Sequence, residues 1–230
     1  METSANKFFQ SNVNAKMKNI DVSIIIRTLN EARYLGELLD SIRNQNTFFS
    51  YEVVLIDSGS SDNTLNIAEE FKCKILHIAK QDFSFGRSLN RGCEAASGKY
   101  LIFISGHCIP LDDKWLEKLI LPLYNNSSDY VYGKQIGGPQ TYLSEQEIFS
   151  KYYPDSSQIP QSGFFCNNAN SAIKSSCWKK FKFDEELTGL EDMQLAKQLI
   201  LNNGKIGYVA NAVVYHLHHE SWVQVQRRFE

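Results

Sequence analysis

The stretch Val53–Thr64, VVLIDSGSSDNT, decides the fold. Four successive β-formers give way to Asp57 and a run of small polar residues. That is the pattern of a buried parallel strand delivering a carboxylate to its carboxyl end. Asp62, Asn63 and Thr64 are helix-capping residue types, and Leu65, Ala68 and Phe71 follow at helical spacing. Open α/β sheets bind ligands in the crevice outside the carboxyl ends of their strands. An Asp placed there can accept hydrogen bonds from a nucleoside, or it can close its own turn.

The same unit recurs on either side. Val22–Ile26 reads as a strand, and Leu35, Leu38, Leu39 and Ile42 form an apolar stripe on the helix after it. Ile75–Ile78 is a third strand, followed by a helix presenting Leu89, Cys93 and Ala96 and stopped by Gly98. Tyr100–Ile104 is a fourth, before a helix carrying Leu116, Leu119, Ile120 and Leu123. This alternation predicts an α/β fold with a mostly parallel twisted sheet flanked by helices. Residues 134–165 are rich in Gly, Pro, Gln, Ser and Tyr and read as a long loop with a short helix near Glu145–Tyr152, a candidate substrate loop. Asn170–Ile173, a helix after Glu191, and short strands near Ile206–Val209 and Val213–Tyr215 complete a mixed C-terminal part. Residues 1–20 read as a loose tail, and 21–230 as a single domain.

Composition excludes several classes. With 43% hydrophobic and 22% charged residues the chain is an ordinary globular protein. A net charge of −2, with no basic stripe interleaved with aromatics, argues against a nucleic-acid partner. Five scattered cysteines without a C-x-x-C pair point to free thiols in a reducing cytosol. No secretory apolar core and no run near ~18 apolar residues is present, so a cytoplasmic protein is expected.

The strand ends carry the chemistry. Thr28, Asn30 and Glu31 put polar side chains on the rim of Asp57, where helix capping is their competing role. No Gly-rich dinucleotide fingerprint and no GxxxxGK[ST] loop follows the first strand. Ser105, Gly106 and His107 end the fourth strand; Gly106 permits close backbone approach, and His107 can ligate a divalent metal or donate to a diphosphate. Thr188–Glu191 matches the S/T-x-x-E capping box, which accounts for Glu191 and leaves Asp192 as a candidate general base. His216, His218 and His219 cluster near the chain end, and strand alternation sends His216 and His218 to one face.

Taken in order, five segments resemble the inverting family 2 glycosyltransferases of the GT-A fold. They are Ser23–Glu31 (SIIIRTLNE), Val53–Thr64, Phe85–Gly92 (FGRSLNRG), Gly98–Pro110 (GKYLIFISGHCIP) and Phe183–Asp192 (FDEELTGLED). Within that family the chain is similar to a bacterial subgroup labelled rhamnosyltransferase-like. The resemblance implies a nucleotide-diphosphate sugar held across the strand ends, with a nucleotide-sugar part at about 21–125 and an acceptor part at about 126–220. Thr28, Glu31 and Asp57 would contact the nucleoside, with Asn30, Ser105 and Gly106 on the same donor rim. Arg87 and Asn90 would lie near the diphosphate or base. Asp192 of the Glu191-Asp192 pair would deprotonate a hydroxyl of a glycan or lipid-linked acceptor.

The departure lies at Ser105-Gly106-His107, where the family usually has Asp-x-Asp and a bound Mg²⁺ or Mn²⁺. Imidazole suits Mn²⁺ better than Mg²⁺. The expectation is a divalent cation on His107 with His218 or His216. Metal-free catalysis with Arg87 and histidines as the cation, and loss of activity, are the alternatives. Ser221–Glu230 places Trp222, Val225 and Phe229 on one helical face, with Arg227 and Arg228 able to touch a membrane surface, and reads as a helix that continues in a longer protein. A sugar-nucleotide-binding pseudoenzyme and a sugar-phosphate nucleotidyltransferase are the competing functions; the latter should carry a Gly-rich loop where Arg27–Glu31 stands.

Overall fold

The computed structural model describes residues 20–139 and 141–217. In chain order the elements are β1 (Val22–Thr28), α1 (Ala32–Arg43), β2 (Tyr51–Asp57), α2 (Thr64–Glu70), β3 (Lys74–His77), α3 (Phe85–Ala95), β4 (Tyr100–Ser105), β5 (Cys108–Pro110), α4 (Trp115–Tyr124), β6 (Tyr130–Ile136), α5 (Leu143–Tyr152), β7 (Asn170–Lys174), α6 (Ser175–Phe181), α7 (Glu191–Leu201) and β8 (Ile206–His216). The strands form one sheet in the order β3-β2-β1-β4-β7-β6-β8-β5. β1, β2, β3 and β4 run parallel, as the strand–helix alternation predicts. β7 then enters antiparallel between β4 and β6, and β8 returns parallel to β6.

The run VSIIIRT makes β1 a strand buried on both faces. Ile24 and Ile26 pack with Leu35, Leu38 and Ile42 of α1 and with α4 on one side. Ile25 points the other way, with Leu89 and Cys93 of α3 and Leu195 of α7. Each such Leu or Ile contributes about 1.5–3 kcal/mol on burial, so both layers of helices are clamped to the same strand.

The second half differs from its sequence reading at three places. Residues 134–136 belong to β6, so the long loop starts later, and its helix begins at Leu143. β6 and α6 have no counterpart in the expectation. β8 is a single strand, and the gap between its two expected pieces is a bulge: Gly133 pairs with Val209 and Lys134 with Val213. Asn170 fills this bulge. Its Nδ2 donates to the carbonyls of Lys134 (3.1 Å) and Ala212 (2.9 Å), and its Oδ1 accepts from the indole N–H of the fully buried Trp115 (3.0 Å). A Cβ on Gly133 would sit 2.3 Å from the Ala212 oxygen, so glycine is required there. The expected tail (1–19), His218, His219 and the Ser221–Glu230 helix lie outside the described residues.

Replacing Asn170 with Ala strands two buried carbonyls and an indole N–H, and the expected loss is about 2–4 kcal/mol. Urea unfolding should show the midpoint falling with an unchanged slope.

Candidate active site

Parallel pairing sets the ends of β1, β2 and β4 level. Thr28 lies opposite Asp57, and Arg27 opposite both Ile56 and Ser105. Asp57 is buried, and its carboxylate is taken up locally. Oδ2 accepts from the N–H groups of Gly59 and Ser60 (both 2.9 Å), and Oδ1 from the hydroxyls of Thr28 (3.2 Å) and Ser60. The small residues after it fold their donors back, so Asp57 closes its own turn, the role that competed with nucleoside contact in the sequence reading.

The loops after β1 and β2 are tied together. Asn30 adopts a left-handed conformation (φ 57°), and its Oδ1 accepts from Ser61 N–H (2.8 Å). Asp62 accepts from Ala32 N–H (3.1 Å), so it serves the first turn of α1 as well as α2. Glu31 N–H donates to the Thr64 hydroxyl (2.8 Å).

Above this floor lies a cavity of about 420 Å³, within the ordinary range for small-ligand sites. Thr28, Glu31, Ser58, Ser105 and His107 give it a polar side, and Phe83, Phe85 and Leu29 an apolar one. Phe83 and Phe85 meet edge to face at 5.3 Å, and the Arg27 guanidinium lies over the Phe85 ring at 4.7 Å. Lys80 adds a cation at the rim. The sequence reading gave no role to Arg27, Lys80, Phe83 or Phe85; an Arg in an apolar strand was the available signal.

His107 and His216, two of the three expected ligands, come together. Cys108 pairs with His216 in register, and the two imidazoles stack with centroids 5.0 Å apart. A backbone N–H fixes their orientation. Ala169 N–H and Gln135 Nε2 both donate to Asn167 Oδ1, which leaves Gln135 Oε1 facing His216 Nδ1 at 2.6 Å. That nitrogen therefore carries a hydrogen. At the other end His107 Nδ1 lies 2.7 Å from Glu31 Oε1. The two Nε2 atoms then face each other at 3.1 Å. Two bare lone pairs at that distance repel unless a proton or a metal ion lies between them. Gly106 serves this pair: a Cβ there would meet Glu31 Cγ at 2.7 Å. Its close approach is to Glu31.

A second cavity, of about 270 Å³, shares Arg27 and Phe85 with the first and holds Glu191, Asp192 and Asn168. Asp192 Oδ2 accepts from Asn168 N–H (3.0 Å) and Oδ1 from Met193 N–H (2.7 Å). Burial, reinforced by the Glu191 carboxylate, pushes the Asp192 carboxyl up to about 6, against the pull of those N–H groups and of Arg27. The chain enters α7 through Leu190 in a left-handed conformation (φ 62°), with no side-chain cap. Thr188 is exposed and Glu191 is buried beside the cavity, which corrects the capping-box reading.

Arg87 and Asn90 stand apart from both cavities. Asn90 Oδ1 accepts from Trp178 Nε1 and Phe183 N–H (both 3.0 Å), while Nδ2 donates to the Phe183 carbonyl and Glu185 (both 2.9 Å). Arg87 pairs with Glu185 at 3.0 Å. With every polar group of Asn90 engaged, these residues anchor the segment leading to α7.

The profile of glycosyl transferase family 2 matches residues 23–176, two thirds of the chain. The chain belongs to this glycosyltransferase family. Among its relatives it is 26% identical over 211 residues to the O-antigen chain rhamnosyltransferase RfbN of Salmonella typhimurium, covering 86% of this chain and 66% of that one. It is 26% identical over 208 residues to a poly(ribitol-phosphate) beta-glucosyltransferase of Bacillus spizizenii, covering 85% of this chain and 32% of the relative. The chain thus spans less than two thirds of the length of these proteins. In fold it matches the mannosyltransferase PcManGT from Pyrobaculum calidifontis, in complex with GDP-Man and Mn²⁺, with a TM-score of 0.71 and 16% identity over 93% of this chain and 61% of that one. It also matches S. aureus TarS 1–349 in complex with UDP-GlcNAc, with a TM-score of 0.67 and 20% identity over 88% and 60%. The architecture is the GT-A fold of glycosyltransferases.

The family's cation can be tested on the donor set of this glycosyltransferase. Two imidazole nitrogens converge, and the nearby carboxylate, Glu31, is held on the far side of His107. Nitrogen donors oriented by such partners suit Mn²⁺ and its neighbours, whereas Mg²⁺ takes oxygen ligands. Among the described residues no group of three His, Cys, Asp or Glu is assembled around a metal position. His218, the remaining expected ligand, lies outside them. Nor is any helix among the described residues long and apolar enough to cross a membrane.

A carboxyl raised in the fold from 3.8 to about 6 costs stability when ionised. The cost is absent below pH ~4, grows between 4 and 6, and is complete above. Asp192→Asn is therefore expected to gain roughly 3 kcal/mol of stability at pH 8 and little at pH 4, read by thermal unfolding across that range.

Proposed function

We propose that the protein transfers a sugar, with inversion, from a nucleotide-diphosphate donor to a hydroxyl of a glycan or lipid-linked acceptor. The observation that carries this reading is the junction of two cavities at Arg27 and Phe85, one aromatic-walled with a polar rim, the other holding a buried carboxylate. The nucleoside would stack in the first cavity against Phe83 and Phe85, bonded by Thr28, Ser58 and the rim that Asn30, Ser105 and Gly106 help to form. Asp57 would act through the loop it shapes. The acceptor would enter the second cavity, where Asp192 takes its proton. A base near 6 is ionised at neutral pH yet more basic than an ordinary carboxylate, which suits proton abstraction. Glu191 maintains that basicity.

His107 and His216 would hold a divalent cation, with Mn²⁺ preferred. When bound, it would neutralise charge on the diphosphate. The names of the relatives support a hexosyl or deoxyhexosyl donor and a role in bacterial surface polysaccharide synthesis. The protein would act on the cytoplasmic side, with peripheral membrane contact where its acceptor is lipid-linked. The missing Asp-x-Asp carboxylates favour a second reading, a sugar-nucleotide-binding pseudoenzyme.

A panel of UDP-, GDP- and dTDP-sugars, screened by thermal shift and donor hydrolysis with and without Mn²⁺, separates the two. An active enzyme should give a kcat/KM that rises with pH through about 6, and Asp192→Asn should lower kcat by about 10³-fold or more. Tight nucleotide binding without turnover against any acceptor would establish the pseudoenzyme. His107→Ala should abolish the Mn²⁺ dependence of nucleotide binding, measured by titration; an unchanged dependence would remove these histidines from the metal site.

A further inference from the structure

Arg27 Nη1 is enclosed in protein and makes no hydrogen bond. Burial pushes this guanidinium below its ordinary pKa, while Glu191 and Asp192 pull it back. A guanidinium presents five donors in a rigid fork, and an enclosed donor without a partner costs about 1–3 kcal/mol, more when charged. Phe85 covers one face of the group, and the remaining space around it is the place where the two cavities meet. A second orphaned donor belongs to a residue lining the second cavity. Asn168 is 3% exposed; its Oδ1 accepts from Tyr130 and Ser171, while Nδ2 has no partner. Two enclosed donors beside two carboxylates describe a wall that awaits an oxygen-rich anion.

We propose that Arg27 binds the donor's terminal phosphate, the one attached to the transferred sugar, and carries the charge that builds there as the sugar leaves. The inference rests on the donor reading of the preceding subsection and adds a residue that does the binding. In the step, the bond between the anomeric carbon and the phosphate oxygen breaks and its electron pair stays on that oxygen. The acceptor oxygen bonds to the same carbon, and its proton passes to Asp192. A cation fixed at the junction faces both the departing oxygen and the base. It stabilises the first without moving, which is the preorganisation that lowers such barriers. Arg suits this better than Lys, because its fork meets a phosphate with two parallel hydrogen bonds.

The test compares wild type, Arg27→Gln and Arg27→Lys by calorimetric titration with UDP, UMP and uridine, or the guanosine series if the thermal-shift panel selects it. Wild type should hold the diphosphate at least tenfold more tightly than the nucleoside. Arg27→Gln should lose at least tenfold for the diphosphate and keep its affinity for the nucleoside, with kcat falling further than KM rises. Arg27→Lys should fall between, and it carries the comparison if the glutamine variant does not fold. Undiminished diphosphate binding in the variant, or equal losses for diphosphate and nucleoside, would overturn the role of Arg27 while leaving the nucleotide site standing. Wild-type protein that binds none of these compounds would overturn the donor reading itself.

Discussion

Everything at the rim depends on the parallel pairing of β1 between β2 and β4. Because the three strands are in register, Arg27, Thr28, Asp57 and Ser105 arrive at one level, and the loops beyond them meet. A slip of one residue would turn Arg27 to the opposite face and bring Thr28 in its place. Buried isoleucines on both faces of β1 oppose such a slip. Ile24 and Ile26 are fitted to one helical layer and Ile25 to the other.

Two charges in the crevice are held away from their most comfortable states. Asp192 is held above its usual range by burial and by Glu191, and Arg27 below its own by burial. The imidazoles of His107 and His216 are locked as donors at their outer nitrogens and turned toward one another at their inner ones. Leu190 adds backbone strain at the entrance to α7, in a conformation that costs a non-glycine residue of order 1 kcal/mol. Strain and perturbed charge thus gather at one end of the sheet.

The parallel half was legible because periodicity survives in it: Leu35, Leu38, Leu39 and Ile42 are all buried, on a helix found where the stripe put it. The rim was legible in part. Thr28, Glu31, Ser105 and His107 do share a cavity, since strand ends were the signal. Other features depend on partners far away in the chain. Asn90 finds its four hydrogen bonds 88–95 residues on, and nothing local distinguishes that anchor from a ligand contact. The left-handed Leu190 has no sequence signature, and the capping-box pattern masked it. The antiparallel entry of β7 is a matter of topology that spacing does not encode. The bulge in β8 was read as a break, because three unpaired residues interrupt alternation in the same way.

The two sides of the aromatic cavity are built very differently. Its floor is a lattice of mutual dependence: Asp57, Asn30, Asp62 and Thr64 each hold a neighbouring loop. The aromatic part of its apolar wall is made of Phe83 and Phe85, each more than a third exposed, on a short stretch at the protein's surface. Mutational drift can therefore reshape the wall cheaply while the floor stays fixed. Divergence in ligand preference across such a scaffold should accumulate at residues 80–85, leaving the acidic turns as the part that inheritance cannot afford to alter.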